Sequence, residues 1–389
     1  MNSPSPYRSR SLRRGAVAAA VAAGALALGS LAPSAVAVPG DGPAAAPAKK
    51  DAVQLRLSAL VADDGAPGAL AAVRDRSGRT RTYTAGVGDL ATGAKVPADG
   101  QVRAGSNTKS FVAVVVLQLV AEGKVELDAP LDTYLPGIVR GEGGDGRRIT
   151  VRQVLQHTSG LPNYTEVMEL SDPYRYHEPR ELLDAALVHK ADFAPGEGWK
   201  YNNTGYVVAG LIVQQVTGRP LGEEITRRVI DKVGLKHTYF PAQGDMTIRE
   251  RHPHGYVKED GAPPLDITEM DPSWAWGAGA LVSTPTDLNR FFSAVIGGEL
   301  MPAAQLAQMR TTVPAEYVGP GARYGLGLAS RPLPCGGLSW GHGGTLPGYV
   351  TRGGVTEDGR AVNVAVTAVP PSPGAKQRVA DAVDEALCR

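Results

Sequence analysis

Cysteine is nearly missing from this chain: its 389 residues hold only Cys335 and Cys388. That excludes a disulfide-dense miniature scaffold, and the pair is not spaced as metal ligands. Surplus charge is missing too, with 40 basic residues against 39 acidic ones and no dense basic stripe after the first 15 residues. Nothing therefore recommends a nucleic acid or an anionic membrane as partner. After Leu31 no apolar run approaches the length of a membrane span; the longest, Phe111 to Val120, is broken by Gln118 and fits a buried helix. Glycine and proline together make 78 residues, below the level of a low-complexity chain, while 43% of the side chains are hydrophobic. That is enough for the core of one large or two ordinary domains.

The N-terminus has a different character. Arg8, Arg10, Arg13 and Arg14 precede an apolar stretch from Ala16 to Leu31 and the tripeptide Ala35-Val36-Ala37. This is the layout of a secretory signal peptide over residues 1–37, with cleavage after Ala37 and either a Sec or a twin-arginine route. Cleavage takes four of the 40 basic residues and none of the 39 acidic ones, leaving −3. The expectation is a secreted, extracellular monomer with no membrane anchor once the leader is gone. Residues 38–50, rich in Pro, Ala and Gly, read as a linker or short propeptide, and folding starts near Asp51. In an exported protein an even cysteine count favours a Cys335–Cys388 bridge tying the C-terminal helix to the body, with two buried thiols as the alternative.

From Gly68 to Ala91, β-prone runs flank Asp75-Arg76-Ser77-Gly78, and Arg352 to Val369 repeats the device around Glu357 to Arg360, so both read as hairpins. Between them the pattern is helical. Ser106–Glu122, Thr204–Thr217 and Leu221–Val233 each stop at a glycine. Thr284-Pro285 opens another helix with a capping hydroxyl and a first-turn proline. Ala375 to Leu387 carries Val379, Val383 and Leu387 on one face. The fold class is therefore α/β (α+β): an antiparallel sheet built from both ends of the chain (about 51–105 and 275–389), flanked by helices, with a helical lobe over 106–274 and a site in the cleft between. Gly141 to Arg148 lacks the ending of a phosphate loop and reads as a surface turn.

Three segments can carry chemistry. Ser106-Asn107-Thr108-Lys109 opens an apolar helix, so one turn brings a hydroxyl and an amine onto one face. A serine needs a base to become a nucleophile, and a lysine with a lowered pKa can serve, while the helix start offers N–H groups to an oxyanion. Tyr201-Asn202-Asn203 precedes a helix, where a phenol can relay a proton and an amide can hold a carbonyl. Gly341-His342-Gly343-Gly344-Thr345 precedes a strand, and its glycines let an extended substrate approach the backbone. His252-Pro253-His254 has no third ligand and reads as a surface loop, so no metal is expected.

In this order the three segments resemble the Ser-x-x-Lys, Tyr-x-Asn and Lys/His-x-Gly elements of the penicillin-recognising serine hydrolases, the family of serine D-alanyl-D-alanine carboxypeptidases and class C β-lactamases. The likeness runs from Asp51 onward and includes RAGSNTKSF (103–111), ITVRQVLQHTSGL (149–161), SWAWGAGA (273–280), YGLGL (324–328) and the cysteine pair. It implies a β-lactamase-like fold and an acyl-enzyme on Ser106, with Lys109 and Tyr201 handling the proton. It places the oxyanion between the N–H groups of Ser106 and Thr345, the substrate amide on Asn203, and His342 where most β-lactamases carry lysine. Thr165, Trp274, Gly343 and Gly344 would line the substrate, a small peptide or β-lactam, with no cofactor. Two positions depart: the carboxypeptidases grip the terminal carboxylate with a threonine and an arginine where this chain has Gly343 and Ala329. Strand alternation puts Arg331 on the face of position 329, which makes it the expected replacement.

Overall fold

The computed structural model describes residues 51–258 and 261–389. The leader and the linker lie outside them, and the described residues form one compact unit. The sheet strands are β1 (Gly68–Arg74), β2 (Thr80–Gly86), β3 (Val313–Pro314), β4 (Arg323–Tyr324), β5 (Ala329–Pro332), β6 (Leu338–Gly341), β7 (Gly344–Leu346), β8 (Tyr349–Val355) and β9 (Ala361–Val366). Their order is β2-β1-β9-β8-β6-β5-β4-β3, with β7 paired to β8, and every ladder is antiparallel. Both expected hairpins are present, and β9, uncharged and buried on both faces, sits where the two ends of the chain meet.

The helices that matter for the site are α1 (Ala52–Ala62), α2 (Thr108–Ala121), α3 (Val151–Gln156), α4 (Thr204–Thr217), α5 (Pro285–Ile296) and α6 (Pro373–Leu387). Alternation along the strands sorts the sheet's two faces. Ala69, Ala71, Val362, Val364 and Val366 pack with Leu57 of α1 and with Val379 and Val383 of α6. The opposite face takes α5, where Asn363 donates to Asn289, which in turn donates to the Ala72 carbonyl. The ends of α5 and α6 follow from their caps: Thr284 accepts from the Asp287 N–H and Ser372 from the Ala375 N–H, each before a first-turn proline.

Helix α2 is apolar all round and rich in valine, which taken alone favours strands. It is helical because it is buried almost completely in the main core, where packing overrides intrinsic propensity. A 3-10 turn, Gly105–Asn107, precedes it, so the helix itself starts at Thr108, two residues later than expected. The expected Leu221–Val233 helix is present but widens into a π turn at Thr226–Ile230. Gly141 and Gly144 belong to a two-residue hairpin. Cys335 and Cys388 are bonded, fastening the C-terminal end of α6 to the turn between β5 and β6. Among the described residues no helix is long and apolar enough to cross a membrane.

Candidate active site

The segment before α2 is held from several directions. Arg103, fully buried, donates to the carbonyls of Met246, Thr268 and Met270 at 2.6, 2.8 and 3.2 Å. Asn107 donates to the Ala104 carbonyl and to the Thr351 hydroxyl on β8, both at 2.7 Å. Gly105 sits at φ +55°, and a Cβ there would lie 2.8 Å from the Thr345 nitrogen. Glycine at 105 is thus required twice over, by the left-handed backbone and by the approach of β7. That approach brings the N–H of Thr345 next to the turn carrying Ser106.

Lys109 reaches Ser106 as the one-turn spacing requires. Its Nζ lies 3.1 Å from Ser106 Oγ, 2.7 Å from Asn203 Oδ1 and 2.7 Å from the Ala278 carbonyl. The side chain is entirely buried, and burial pushes its pKa well below the usual value of 10.5. A neutral amine has two hydrogens and one lone pair. The amide oxygen and the carbonyl can only accept, so they take both hydrogens and the lone pair is left for the Ser106 O–H.

Tyr201 stacks beside this amine, with Nζ 4.9 Å from the ring centroid. Its hydroxyl lies close enough to Ser106 to feel it but makes no hydrogen bond of acceptable geometry, and burial pushes its pKa up. Asn203 completes the group: Nδ2 donates to Thr165 Oγ1 at 3.1 Å, and its backbone N–H donates to Asn163. Of Trp274 the structure shows only that its carbonyl accepts from the Tyr164 hydroxyl at 2.6 Å.

His342 is wholly engaged. Its Nδ1 lies 2.6 Å from the Gly343 carbonyl, which can only accept, so Nδ1 carries the proton and Nε2 accepts from the Tyr324 hydroxyl at 2.9 Å. Burial, with Lys109 nearby, pushes its pKa down to about 3. His157 is neutral for the same reasons: it is buried, its Nδ1 accepts from the Asn202 N–H, and burial lowers its pKa well below 6.5. Its ring packs on Tyr201 at 4.5 Å and Tyr324 at 4.6 Å, building the wall behind the amine.

These two imidazoles give the protein an acid sensitivity. The unfolded chain protonates histidine near pH 6.5, whereas the folded chain holds both neutral, so below that pH the unfolded state binds more protons. Their contribution to stability is therefore lost as pH falls below about 6.5, and for His342 the loss is complete near 3. Urea unfolding from pH 7 to 4 is expected to show falling stability, with a shallower fall in His342→Gln. An equal slope in the variant would remove His342 from the account.

Sequence reasoning thus placed Ser106, Lys109, Tyr201, Asn203, Thr165, His342 and Thr345 in one neighbourhood, and the structure brings them together. Gly343 and Gly344 lie in the same place, Gly344 so close that a Cβ would meet the Ala104 oxygen at 2.0 Å. Arg331 is the correction. Its guanidinium is paired with Asp384 of α6 at 2.8 Å, so it ties β5 to the C-terminal helix instead of replacing the missing arginine. Strand alternation gave the face but could not see the carboxylate 53 residues on. His252 and His254 stack on each other, with Nδ1 of His254 on Asp266 and that of His252 on the Glu250 carbonyl. Three neighbours went unread: His157, although it lies within the ITVRQVLQHTSGL stretch, the Ala278 carbonyl and Arg352. The signal for Arg352 was a lone charge in the otherwise uncharged strand Tyr349–Val355.

Comparison with protein families matches the Beta-lactamase family over residues 53–387. Among solved structures, a D-stereospecific amidohydrolase from Streptomyces sp. is 39% identical with a TM-score of 0.78, covering 85% of this chain and 97% of its own. The D-amino acid amidase of Ochrobactrum anthropi SV3 is 30% identical with a TM-score of 0.77, covering 86% and 97%. Among curated proteins, the putative penicillin-binding protein PbpX of Bacillus subtilis (strain 168) is 26% identical over 258 residues, 66% of this chain. The chain spans only 59% of the length of that relative. A match over nearly every described residue, on a sheet-and-helix fold shared with these hydrolases, means that the chain belongs to the Beta-lactamase family and is a serine hydrolase of the penicillin-recognising kind.

Proposed function

We propose that this protein hydrolyses an amide bond at the carbonyl of a D-amino acid through an acyl-enzyme on Ser106. A peptide ending in D-alanyl-D-alanine is the leading substrate, and penicillin is an acylating analogue. The observation that carries this reading is the buried Lys109 Nζ, 2.7 Å from both Asn203 Oδ1 and the Ala278 carbonyl and 3.1 Å from Ser106 Oγ, an arrangement in which the neutral amine would turn its lone pair to Ser106. The two proton carriers are pushed apart: Lys109 is shifted toward the neutral base, Tyr201 toward the intact phenol. As Ser106 Oγ bonds to the substrate carbonyl carbon, its proton passes to Lys109. The charge that develops on the carbonyl oxygen faces the N–H groups of Ser106 and Thr345. Collapse breaks the C–N bond; Tyr201 gives its proton to the departing nitrogen and regains one from Lys109. Water then cleaves the ester by the same route in reverse. Asn203 Nδ2, now on Thr165, is the donor at hand for the substrate amide.

The D-configured substrate is supported by the 39% identity to a D-stereospecific amidohydrolase, and the penicillin analogue by the likeness to PbpX. The test is intact-mass spectrometry over time after exposure to benzylpenicillin. A long-lived adduct carrying the whole mass of the antibiotic, on the peptide containing Ser106, is expected. Rapid loss of the adduct would make the protein a β-lactamase, and no adduct would remove the acyl-enzyme reading. Parallel assays on a diacylated tripeptide ending in D-Ala-D-Ala, on D-phenylalanine amide and on p-nitrophenyl esters rank peptidase, amidase and esterase. We also infer export with cleavage before Val38; the Cys335–Cys388 bond supports an oxidising destination. N-terminal sequencing of protein from culture medium checks it.

A further inference from the structure

Arg352 stands in β8 against the third motif without any acidic partner. Among the described residues it makes no ion pair, and the charged or polar groups that act on it are Tyr201, Arg331 and Tyr317, none of them a carboxylate at rest. Its Nη1 donates to the carbonyls of Gly344 at 3.0 Å and Thr351 at 2.8 Å, which uses both hydrogens of that nitrogen. Three hydrogens remain, on Nε and Nη2. Neither of those atoms is shut away from solvent, although the residue as a whole is only half-exposed and its neighbourhood is crowded enough to lower its pKa by burial. The unused edge is therefore the Nε–Nη2 fork, the geometry that pairs with both oxygens of one carboxylate.

The fork lies within the site. A Cβ on Gly343 would come within 3.0 Å of Arg352 Cδ and Nη1, so the missing side chain at 343 is what makes room for the guanidinium. Its charge is felt at Tyr201, where it slightly opposes the rise caused by burial, and at His342, where it adds slightly to the fall. Tyr317, 79% exposed, stacks on Tyr201 at 5.7 Å and faces the same space. An uncompensated cation in a crowded cleft is costly unless an anion joins it, and among the described residues none does.

We infer that Arg352 is a specificity-determining residue that pairs through its Nε–Nη2 edge with a carboxylate of the substrate. This deepens the reading above, on which it rests: it selects, among D-aminoacyl amides, those whose leaving group is an amino acid with a free carboxylate, and it disfavours those that release ammonia. The pairing is non-covalent, and the peptide is cleaved as already described.

The experiment compares an acyl-D-alanyl-D-alanine peptide with the same peptide amidated at its C-terminus, on wild type, Arg352→Gln and Arg352→Lys. The quantity read is the ratio of kcat/KM for the free acid to that for the amide. It is expected to exceed one in wild type, to fall about ten- to a hundredfold in Arg352→Gln and to recover in part in Arg352→Lys. An equal loss on both peptides would mean that Arg352 only holds the Gly344 carbonyl, and an unchanged ratio would mean it does nothing for selection; either overturns the inference. A second measurement needs no turnover: calorimetric titration of the free-acid peptide into Ser106→Ala, with and without Arg352→Gln. Binding weakened by the same factor supports the pairing, and unchanged binding refutes it. If wild type cleaves neither peptide, the proposed function fails while this titration still decides the role of Arg352.

Discussion

Lys109→Met is expected to slow acylation of Ser106 by about two to four powers of ten, the range that a positioned general base contributes. Methionine fills nearly the same volume, so the loss would report the amine and not a cavity. The amine has one task that no neighbour can take over. Asn203 Oδ1 and the Ala278 carbonyl are acceptors only, and Tyr201 is held as an intact phenol. His342 spends both ring nitrogens on Gly343 and Tyr324. The variant also leaves two buried oxygens without a donor, at about 1 to 3 kcal/mol each, partly offset because a buried amine no longer has to be desolvated. Time-resolved intact mass with benzylpenicillin measures the rate, and urea unfolding measures the cost. Acylation within tenfold of wild type would transfer the role of base to Tyr201.

Gly344→Ala is the second large effect. The backbone at 344 is not left-handed, so alanine is conformationally acceptable there and the damage is steric. Its Cβ would meet the Ala104 oxygen at 2.0 Å and Thr351 Oγ1 at 2.8 Å. Backbone atoms cannot swing aside, so β7 and the turn carrying Ser106 must part. The Thr345 N–H, the proposed second oxyanion donor, lies beside Gly105 because β7 presses there, and it would be drawn away. Losing one such donor costs about a hundred- to a thousandfold in kcat, and the separation of the two segments costs about 1 to 3 kcal/mol in stability. Ester turnover and thermal unfolding check both. A fully active variant would show that the Thr345 N–H is not an oxyanion donor.

Much of the frame was legible because its signals are local. The hairpins at Asp75–Gly78 and Glu357–Arg360, the Thr284-Pro285 cap and the glycine stops at 123, 218 and 234 each depend on a few adjacent residues. The Ser106–Lys109 spacing is likewise one helical turn. What stayed hidden depends on partners far along the chain. Strands of two residues, such as Val313–Pro314 and Arg323–Tyr324, are too short to show a period. The π turn at Thr226–Ile230 leaves no mark in composition. His157 takes a left-handed helix end that glycine or asparagine usually occupies. Most instructive is the pair of arginines: alternation pointed to Arg331, yet Asp384 claims that side chain, while Arg352, on β8 beside the third motif, has no acidic partner among the described residues.

The supports of Ser106 come from stretches distant in the chain, near residues 203, 278 and 345, and the amine beside it has its pKa lowered only by being sealed from water. A nascent or damaged polypeptide therefore carries an ordinary alcohol next to an ordinary ammonium. Hydrolytic power is switched on by maturation itself, so a cell making this protein would be shielded from it until the last segments have docked.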